Sequence, residues 1–336
     1  MDLNVAPVGA LFDAEFFKDE RKTLAKRFGA PPFSVLRCES GNWPERKEGW
    51  LQIVGIRGEE GREADTHSGA QCNDFGKLSR SDNTTSVFDP VLCECMYKWF
   101  APAGGSILDP FAGESTKGIV AGYLGYRYIG IELRQEQVDA NMRQAEAVAS
   151  RFPDFVMPVW VCSDSSKLGE ALDAAQLSGA SIPDQFDFVW TSPPYYDLEI
   201  YSKSEKDGSA FETYEKFMVW YRDIFRQCVE RMAPNRFLAV KVGEVRNKDN
   251  ALGNFYQFER DNMDVFEELG GYHYNRFVLV TATGSMPTRV GKFHSYRKAA
   301  NGHQMVYVYW FGQPDYKVIA GALGEIKKGD VDESMG

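Results

Sequence analysis

Two groups of residues in this chain have the types and spacing to do chemistry. The first begins at Asp109-Pro110-Phe111-Ala112-Gly113 and runs through Glu114, Ser115 and Thr116 toward a helix. A glycine at such a strand-to-helix corner lets a ligand approach the backbone closely. Acids recur at the ends of the next two strands, as Glu132 in Ile131-Glu132-Leu133 and Asp164 in Cys162-Ser163-Asp164. An acid about twenty residues past the corner is where a doubly wound sheet binds the ribose hydroxyls of a nucleotide. An acid at the third strand end can accept a hydrogen bond from an adenine amino group. One polar strand end means little, but three in succession mark the edge where such sheets bind ligands. No Gly-x-Gly-x-x-Gly is present, which argues against a dinucleotide. A carboxylate-lined pocket with few phosphate-binding features suits S-adenosylmethionine, whose sulfonium and ammonium are both cationic, better than NAD.

The second group follows the strand Phe186-Asp187-Phe188-Val189-Trp190 and reads Thr191-Ser192-Pro193-Pro194-Tyr195-Tyr196. Two prolines fix φ and turn the chain rigidly, so a hydroxyl, a pair of carbonyls and an aromatic ring are presented together. A stiff proline loop over a sheet edge looks the same when taken alone. Its place beside the first corner makes it a candidate site.

The elements that must position these groups alternate. Asp89 caps a helix with Pro90 in its first turn, and Leu92, Cys95, Met96, Trp99 and Phe100 fall on one helical stripe. Strands are expected at Ser106–Phe111, Tyr128–Leu133, Val156–Cys162, Phe186–Thr191 and Phe237–Val242. Helices are expected at Thr116–Leu124, Arg134–Ala149, Thr213–Met232 and Phe255–Leu269. This alternation predicts an α/β fold with a mostly parallel sheet and helices on both faces. The β-rich runs Phe277–Thr281 and Met305–Phe311 lack a helix-length crossover, so they are expected to be antiparallel neighbours. A helix is plausible over Ala14–Phe28. Residues 33–85, rich in Gly, Arg, Glu, Asn and Ser, read as an irregular segment with little core of its own. The expected division is an N-terminal extension over 1–85, a catalytic domain over 86–312 and a polar tail over 313–336.

Composition sets the outer limits. The chain has 336 residues with a formal net charge of −10, which disfavours a sequence-blind nucleic-acid coat but not a local basic face. No apolar run approaches a membrane span, and the N-terminus lacks the pattern of a signal peptide. The six cysteines, Cys38, Cys72, Cys93, Cys95, Cys162 and Cys228, form no Cys-x-x-Cys pair. Neither a metal knuckle nor a disulfide scaffold is expected, and a reducing cytoplasm is the natural setting.

Asp109 to Gly113 together with Ser192 to Tyr195 resemble the amino-group DNA methyltransferases, which act on N4 of cytosine or N6 of adenine. The chain most resembles the DNA methylases of bacteriophages and mobile elements, over Pro31 to about Gly312. Pro31-Pro32-Phe33-Ser34-Val35-Leu36, Trp43 with Glu45-Arg46-Lys47 and Trp50, Ser86-Val87-Phe88-Asp89-Pro90-Val91-Leu92, and Thr191 through Glu199 carry it. The resemblance implies a Rossmann-like, seven-stranded sheet with a terminal antiparallel strand. It also implies S-adenosylmethionine as cofactor, held by Phe88, Asp109, Pro110, Phe111, Gly113, Thr116, Glu132, Leu133 and Asp164. Phe111 would lie beside the adenine, and the segment containing Phe88 would help hold the methionine end. Where that family often has a second glycine, this chain has Glu114-Ser115-Thr116.

An exocyclic amine conjugated with its ring is a poor nucleophile. A site that methylates it must accept hydrogen bonds from it, turn its lone pair toward the methyl group and hold the two atoms in line. Ser192 Oγ and the Pro193 carbonyl are the expected acceptors, with Pro194 fixing the turn. Tyr195 would stack on a base rotated out of double-stranded DNA, and Tyr196 is a weaker candidate for the same wall. Methylation at C5 of cytosine would require a Pro-Cys step, and no cysteine follows a proline. Serine in the first position of the tetrapeptide favours cytosine N4 over adenine N6; an RNA base or a protein amide is the alternative substrate. For DNA contact, the acid-free stretch 281–304 offers Arg289, Lys292, Arg297 and Lys298, although a solvated excursion would look alike. Residues 33–85 are a candidate target-recognition element, though Trp43 and Trp50 are equally plausible as core anchors. Asp197 to Phe211 is a candidate to close over the base.

Overall fold

The computed structural model describes residues 28, 30, 32–54, 88–196, 211–247, 252–280, 291–299 and 301–324, with backbone alone for Val54, Gly291 and Lys292. The expected helix before Phe28, residues 55–87, the segment 197–210 and Arg289 lie outside them.

Eight strands form one sheet. In chain order the elements are β1 (Val35–Arg37), α1 (Trp43–Val54), α2 (Pro90–Phe100), β2 (Ser106–Asp109), α3 (Thr116–Tyr123), β3 (Arg127–Glu132), α4 (Gln135–Ala149) and β4 (Val159–Cys162). They continue as α5 (Leu168–Leu177), β5 (Phe186–Thr191), α6 (Tyr214–Glu230), β6 (Met232–Val242), α7 (Phe258–Glu268), β7 (Tyr272–Val280), α8 (Gly291–Tyr296), β8 (His303–Phe311) and α9 (Tyr316–Leu323). The strand order is β1-β7-β8-β6-β5-β2-β3-β4. Only β8 runs against its neighbours, pairing antiparallel with β6 and β7. The alternating expectation therefore holds, including the antiparallel last pair. The expected count of seven strands is corrected to eight, because β1 pairs parallel with β7 from Val35↔Val278 to Arg37↔Val280. Three residues whose partner lies so far along the chain leave no periodic signal in the sequence.

Two apolar layers flank the sheet. Leu108, Ile131, Val189, Leu238 and Val240 face the layer of α6 and α7, and Ile107, Phe188, Trp190, Phe237 and Val306 face the layer of α2 and α3. Asp89 caps α2 as expected, accepting from the Val91 and Leu92 amides. That helix is buried nearly all round rather than along one stripe. The cause is α1, which covers its outer side. Trp43 and Trp50 are core anchors, 5% and 0% exposed. Trp43 Nε1 donates to Asp89 at 3.1 Å and Trp50 Nε1 to Glu94 at 3.0 Å. Arg46 Nε donates to Glu94 at 2.6 Å and Lys98 Nζ lies 2.8 Å from the same carboxylate. Within 313–336, α9 lays Val318, Ile319, Ala322 and Leu323 against the core. Among the described residues no helix is long and apolar enough to cross a membrane.

Candidate active site

Parallel pairing brings the ends of β3, β2, β5 and β6 to one edge of the sheet, and with them Glu132, Asp109, Ser192 and Gly243. The turn after β2 is the centre of this edge. Gly113 has φ of 58°, a left-handed conformation that a side chain would strain. The corner is tied to every neighbouring strand. Gly113 N donates to Glu132 Oε2 at 3.1 Å, Ser165 Oγ to the Pro110 carbonyl at 2.5 Å, and Thr191 Oγ1 to Asp109 Oδ1 at 2.6 Å.

The three acids differ in what surrounds them. Asp109 is fully buried. Besides Thr191, its carboxylate accepts from Tyr128 OH at 2.6 Å and Phe111 N at 3.1 Å, and Lys117 Nζ lies 2.6 Å from Oδ2. Its charge is therefore met by Lys117 inside the corner. Glu132 keeps about an eighth of its side chain exposed and accepts from Gly113 N and Arg134 N. Arg134 Nε lies 3.6 Å from its Oε1. Asp164 lies just past β4, partly exposed, and accepts from Ser166 N at 2.9 Å. Phe111 is half-buried against Trp220, with ring centres 5.5 Å apart. Pro110 and Thr116 are buried and Leu133 is partly exposed.

Glu114 stands where a second glycine was expected, and its side chain folds back under the corner. Its carboxylate accepts from Phe88 N at 3.1 Å, Thr116 N at 2.9 Å and Thr116 Oγ1 at 2.6 Å. It thereby ties the Phe88 segment to the corner. Burial pushes its carboxyl up to about 7, against the pull of those donors and of Lys117. The Phe88 ring lies edge-on to Trp190, with Lys117 Nζ 5.3 Å and Lys241 Nζ 4.7 Å from its centre. Sequence reasoning missed Glu114, Lys117, Tyr128 and Thr191 as a working set. The available signal was a lysine inside the otherwise apolar run Gly118-Ile119-Val120-Ala121 and its lead-in.

In the proline loop, Ser192 and Tyr195 are half-buried and their hydroxyls lie 3.5 Å apart. The Tyr195 ring meets Phe258 edge-on at 6.5 Å. Tyr196 does not share this wall. It is 5% exposed and packs among Tyr214, Phe217 and Tyr256. The stretch 281–304 leaves the same edge of the sheet, where β7 ends and β8 begins. In it, Arg297 is exposed over the Phe293 ring, and Lys298 Nζ donates to the Leu252 carbonyl. No cluster of metal-ligating side chains occurs among the described residues.

Residues 79–143, which hold α2, the corner and β3, match a family model described as DNA methylase, of the N6/N4 class. Over those residues the chain is similar to that family. No curated protein sequence matches it. Solved structures resemble it at the level of the fold. One is TrmN from Thermus thermophilus, with 14% identity and TM-score 0.41, covering 67% of this chain and 49% of that one. Another is a precorrin-6y C5,15-methyltransferase from Geobacter metallireducens, with 11% identity and TM-score 0.40, covering 71% and 96%. A third is the [4+2]-cyclase SpnF, with 12% identity and TM-score 0.42, covering 69% and 85%. The chain spans about half the length of TrmN.

Proposed function

We propose that this chain transfers a methyl group from S-adenosylmethionine to the exocyclic amine of a base rotated out of double-stranded DNA, N4 of cytosine ahead of N6 of adenine. The observation that carries the proposal is the direct link between the two motifs. Thr191, immediately before Ser192, donates to Asp109 at the head of the cofactor corner. That hydrogen bond supports reading the two motifs as one site.

S-Adenosylmethionine, when bound, supplies an electrophilic methyl group. The residues present fit it. Glu132, partly exposed at the end of its strand, accepts from the ribose hydroxyls, Phe111 offers a half-buried ring for the adenine, and Asp164 stands by its amino group. Gly113 keeps the corner open to close approach, with Pro110 and Leu133 as its walls. Thr116, through Glu114, holds the Phe88 segment toward the methionine end. Ser192 Oγ and the Pro193 carbonyl accept hydrogen bonds from the target amine and turn its lone pair toward the methyl group, while Pro194 keeps the turn rigid. Tyr195 stacks on the base. No covalent bond to the base is needed, and no cysteine lies in the loop.

Arg289, Lys292, Arg297 and Lys298 contact DNA phosphates, in keeping with a positive stretch at the catalytic edge of an acidic chain. Serine at position 192 favours cytosine. The test is methyl transfer to duplex DNA, RNA and protein in parallel, followed by single-molecule sequencing of the DNA product. Label in DNA as N4-methylcytosine is expected. Label only in RNA or protein would overturn the proposal, and N6-methyladenine would overturn its choice of base.

A further inference from the structure

We infer that Gln304 reads the base, presenting its side-chain amide to the ring nitrogen beside the amino-bearing carbon. The inference rests on the methyl-transfer reading above and names the residue of that same site which checks what enters it.

Three elements converge here. Tyr195 closes the loop after β5, Gly243 follows the end of β6, and Gln304 is the second residue of β8. Because β6 pairs with β5 on one side and β8 on the other, the three residues meet at one edge. A methyl group placed on Gly243 would lie 3.8 Å from Tyr195 Cε2 and 3.9 Å from Gln304 Nε2. Glycine at this position therefore leaves a gap between an aromatic ring and a primary amide. Gln304 is half-buried, and among the described residues its amide makes no hydrogen bond. The next residue, Met305, is 6% exposed and belongs to the core, so Gln304 is the point where β8 turns from packing to the open edge.

The chemistry of the amide fits the proposed substrates. Gln donates through Nε2 and accepts through Oε1. Cytosine and adenine share one edge, an amino-bearing carbon beside an unprotonated ring nitrogen. With the amine at Ser192 and the ring on Tyr195, that nitrogen is the next atom along the edge, and Gln304 Nε2 supplies its donor. Thymine, and guanine along its keto edge, carry N–H at the corresponding position and would set donor against donor. A flat base needs the space that Gly243 leaves.

The test uses the purified full chain and three variants, Gln304→Leu, Gln304→Glu and Gly243→Ala. Alanine at 243 makes only ordinary van der Waals contacts, and φ there is not left-handed, so the fold should accept it. Cofactor affinity by calorimetry should be unchanged in all three, which also reports folding. Gln304→Leu should lower kcat/KM for DNA by roughly ten-fold, as expected for one or two lost hydrogen bonds, with the balance between cytosine and adenine unchanged, because the two share the edge that Gln304 reads. Gln304→Glu should be worse at neutral pH, since acceptor then faces acceptor, and should recover as pH falls. Gly243→Ala should raise KM for DNA with cofactor affinity intact. Wild-type kcat/KM for DNA in Gln304→Leu and wild-type KM for DNA in Gly243→Ala would overturn the inference while leaving the methyl-transfer reading standing. A wild-type chain that methylates no DNA would overturn that reading, and the inference with it.

Discussion

Glu94 and Glu114 are both removed from water, and the protein treats them in opposite ways. Glu94 lies between α1 and α2, where Arg46, Lys98 and Trp50 surround it. Burial alone would raise its carboxyl, but Lys98 and Arg46 overcome that and hold it at about 2. Glu114 lies beneath the corner after β2 with hydrogen-bond donors but, among the described residues, no salt-bridge partner at contact distance. The nearby lysine, Lys117, is bonded instead to Asp109 and the Phe111 carbonyl. Burial wins there, and the carboxyl rises to about 7. The anchor of the N-terminal helix is thus compensated charge for charge, whereas the site contains a carboxylate at a cost. A perturbed carboxyl where several strands end is the pattern of a candidate site.

The largest effect should come from breaking the compensated side. Glu94→Ala leaves Arg46 buried without its partner and should destabilise the fold by ~3–5 kcal/mol in denaturant titration. A loss under about 1 kcal/mol would mean that water reaches the pair and would remove the contrast.

Stability as a function of pH sharpens the comparison next. Glu94 has a folded pKa below its unfolded value, so its contribution is present above about 4.5 and is lost as pH falls through about 2. Glu114 has a folded pKa above its unfolded value. The native state binds that proton more tightly, so stability should fall as pH rises from about 4.5 through about 7. Between pH 5 and pH 8 this amounts to roughly 2–3 kcal/mol. Glu114→Gln should lack that step, and an identical pH profile in both proteins would assign the step to another group.

Glu132→Ala should separate ligand binding from folding. Cofactor affinity should weaken by about 2 kcal/mol, the scale of hydrogen bonds to a charged group. Unchanged affinity in calorimetry would take Glu132 out of the site. The smallest effect concerns the anchor again. Trp43→Phe removes the bond to Asp89 and should cost about 1 kcal/mol in thermal or chemical unfolding, with methyl transfer unaltered. A drop in transfer at constant stability would show that Asp89, and so the start of α2, answers to the site.

The sequence was legible where the signal was local. Strands β2, β3 and β5, the cap at Asp89 and the two motifs sit where periodicity and spacing put them. Asp109, Glu132 and Asp164 do follow successive strands along one edge. What remained hidden depended on distant partners. The three residues of β1 have no pattern until β7 lies beside them. The stretch from Trp43 to Val54 is polar enough to pass for a loop, and becomes a helix because Trp43, Arg46 and Trp50 fall on one face against α2. The neutralisation of Asp109 could not be read either, since Lys117, Tyr128 and Thr191 reach it from three separate elements.

The pairing of β1 with β7 also has a consequence for how the chain is made. A ribosome releases Val35 early and Val278 late. Through most of synthesis, β1 has no strand to join, while α1 can already dock on α2. Closing that edge is a long-range event of the kind that slows folding. The emerging chain must therefore carry an unpaired strand edge until the last quarter of the sequence appears, and during that interval the contacts of α1 with α2, the Arg46–Glu94 pair among them, are those already available to hold the β1 segment.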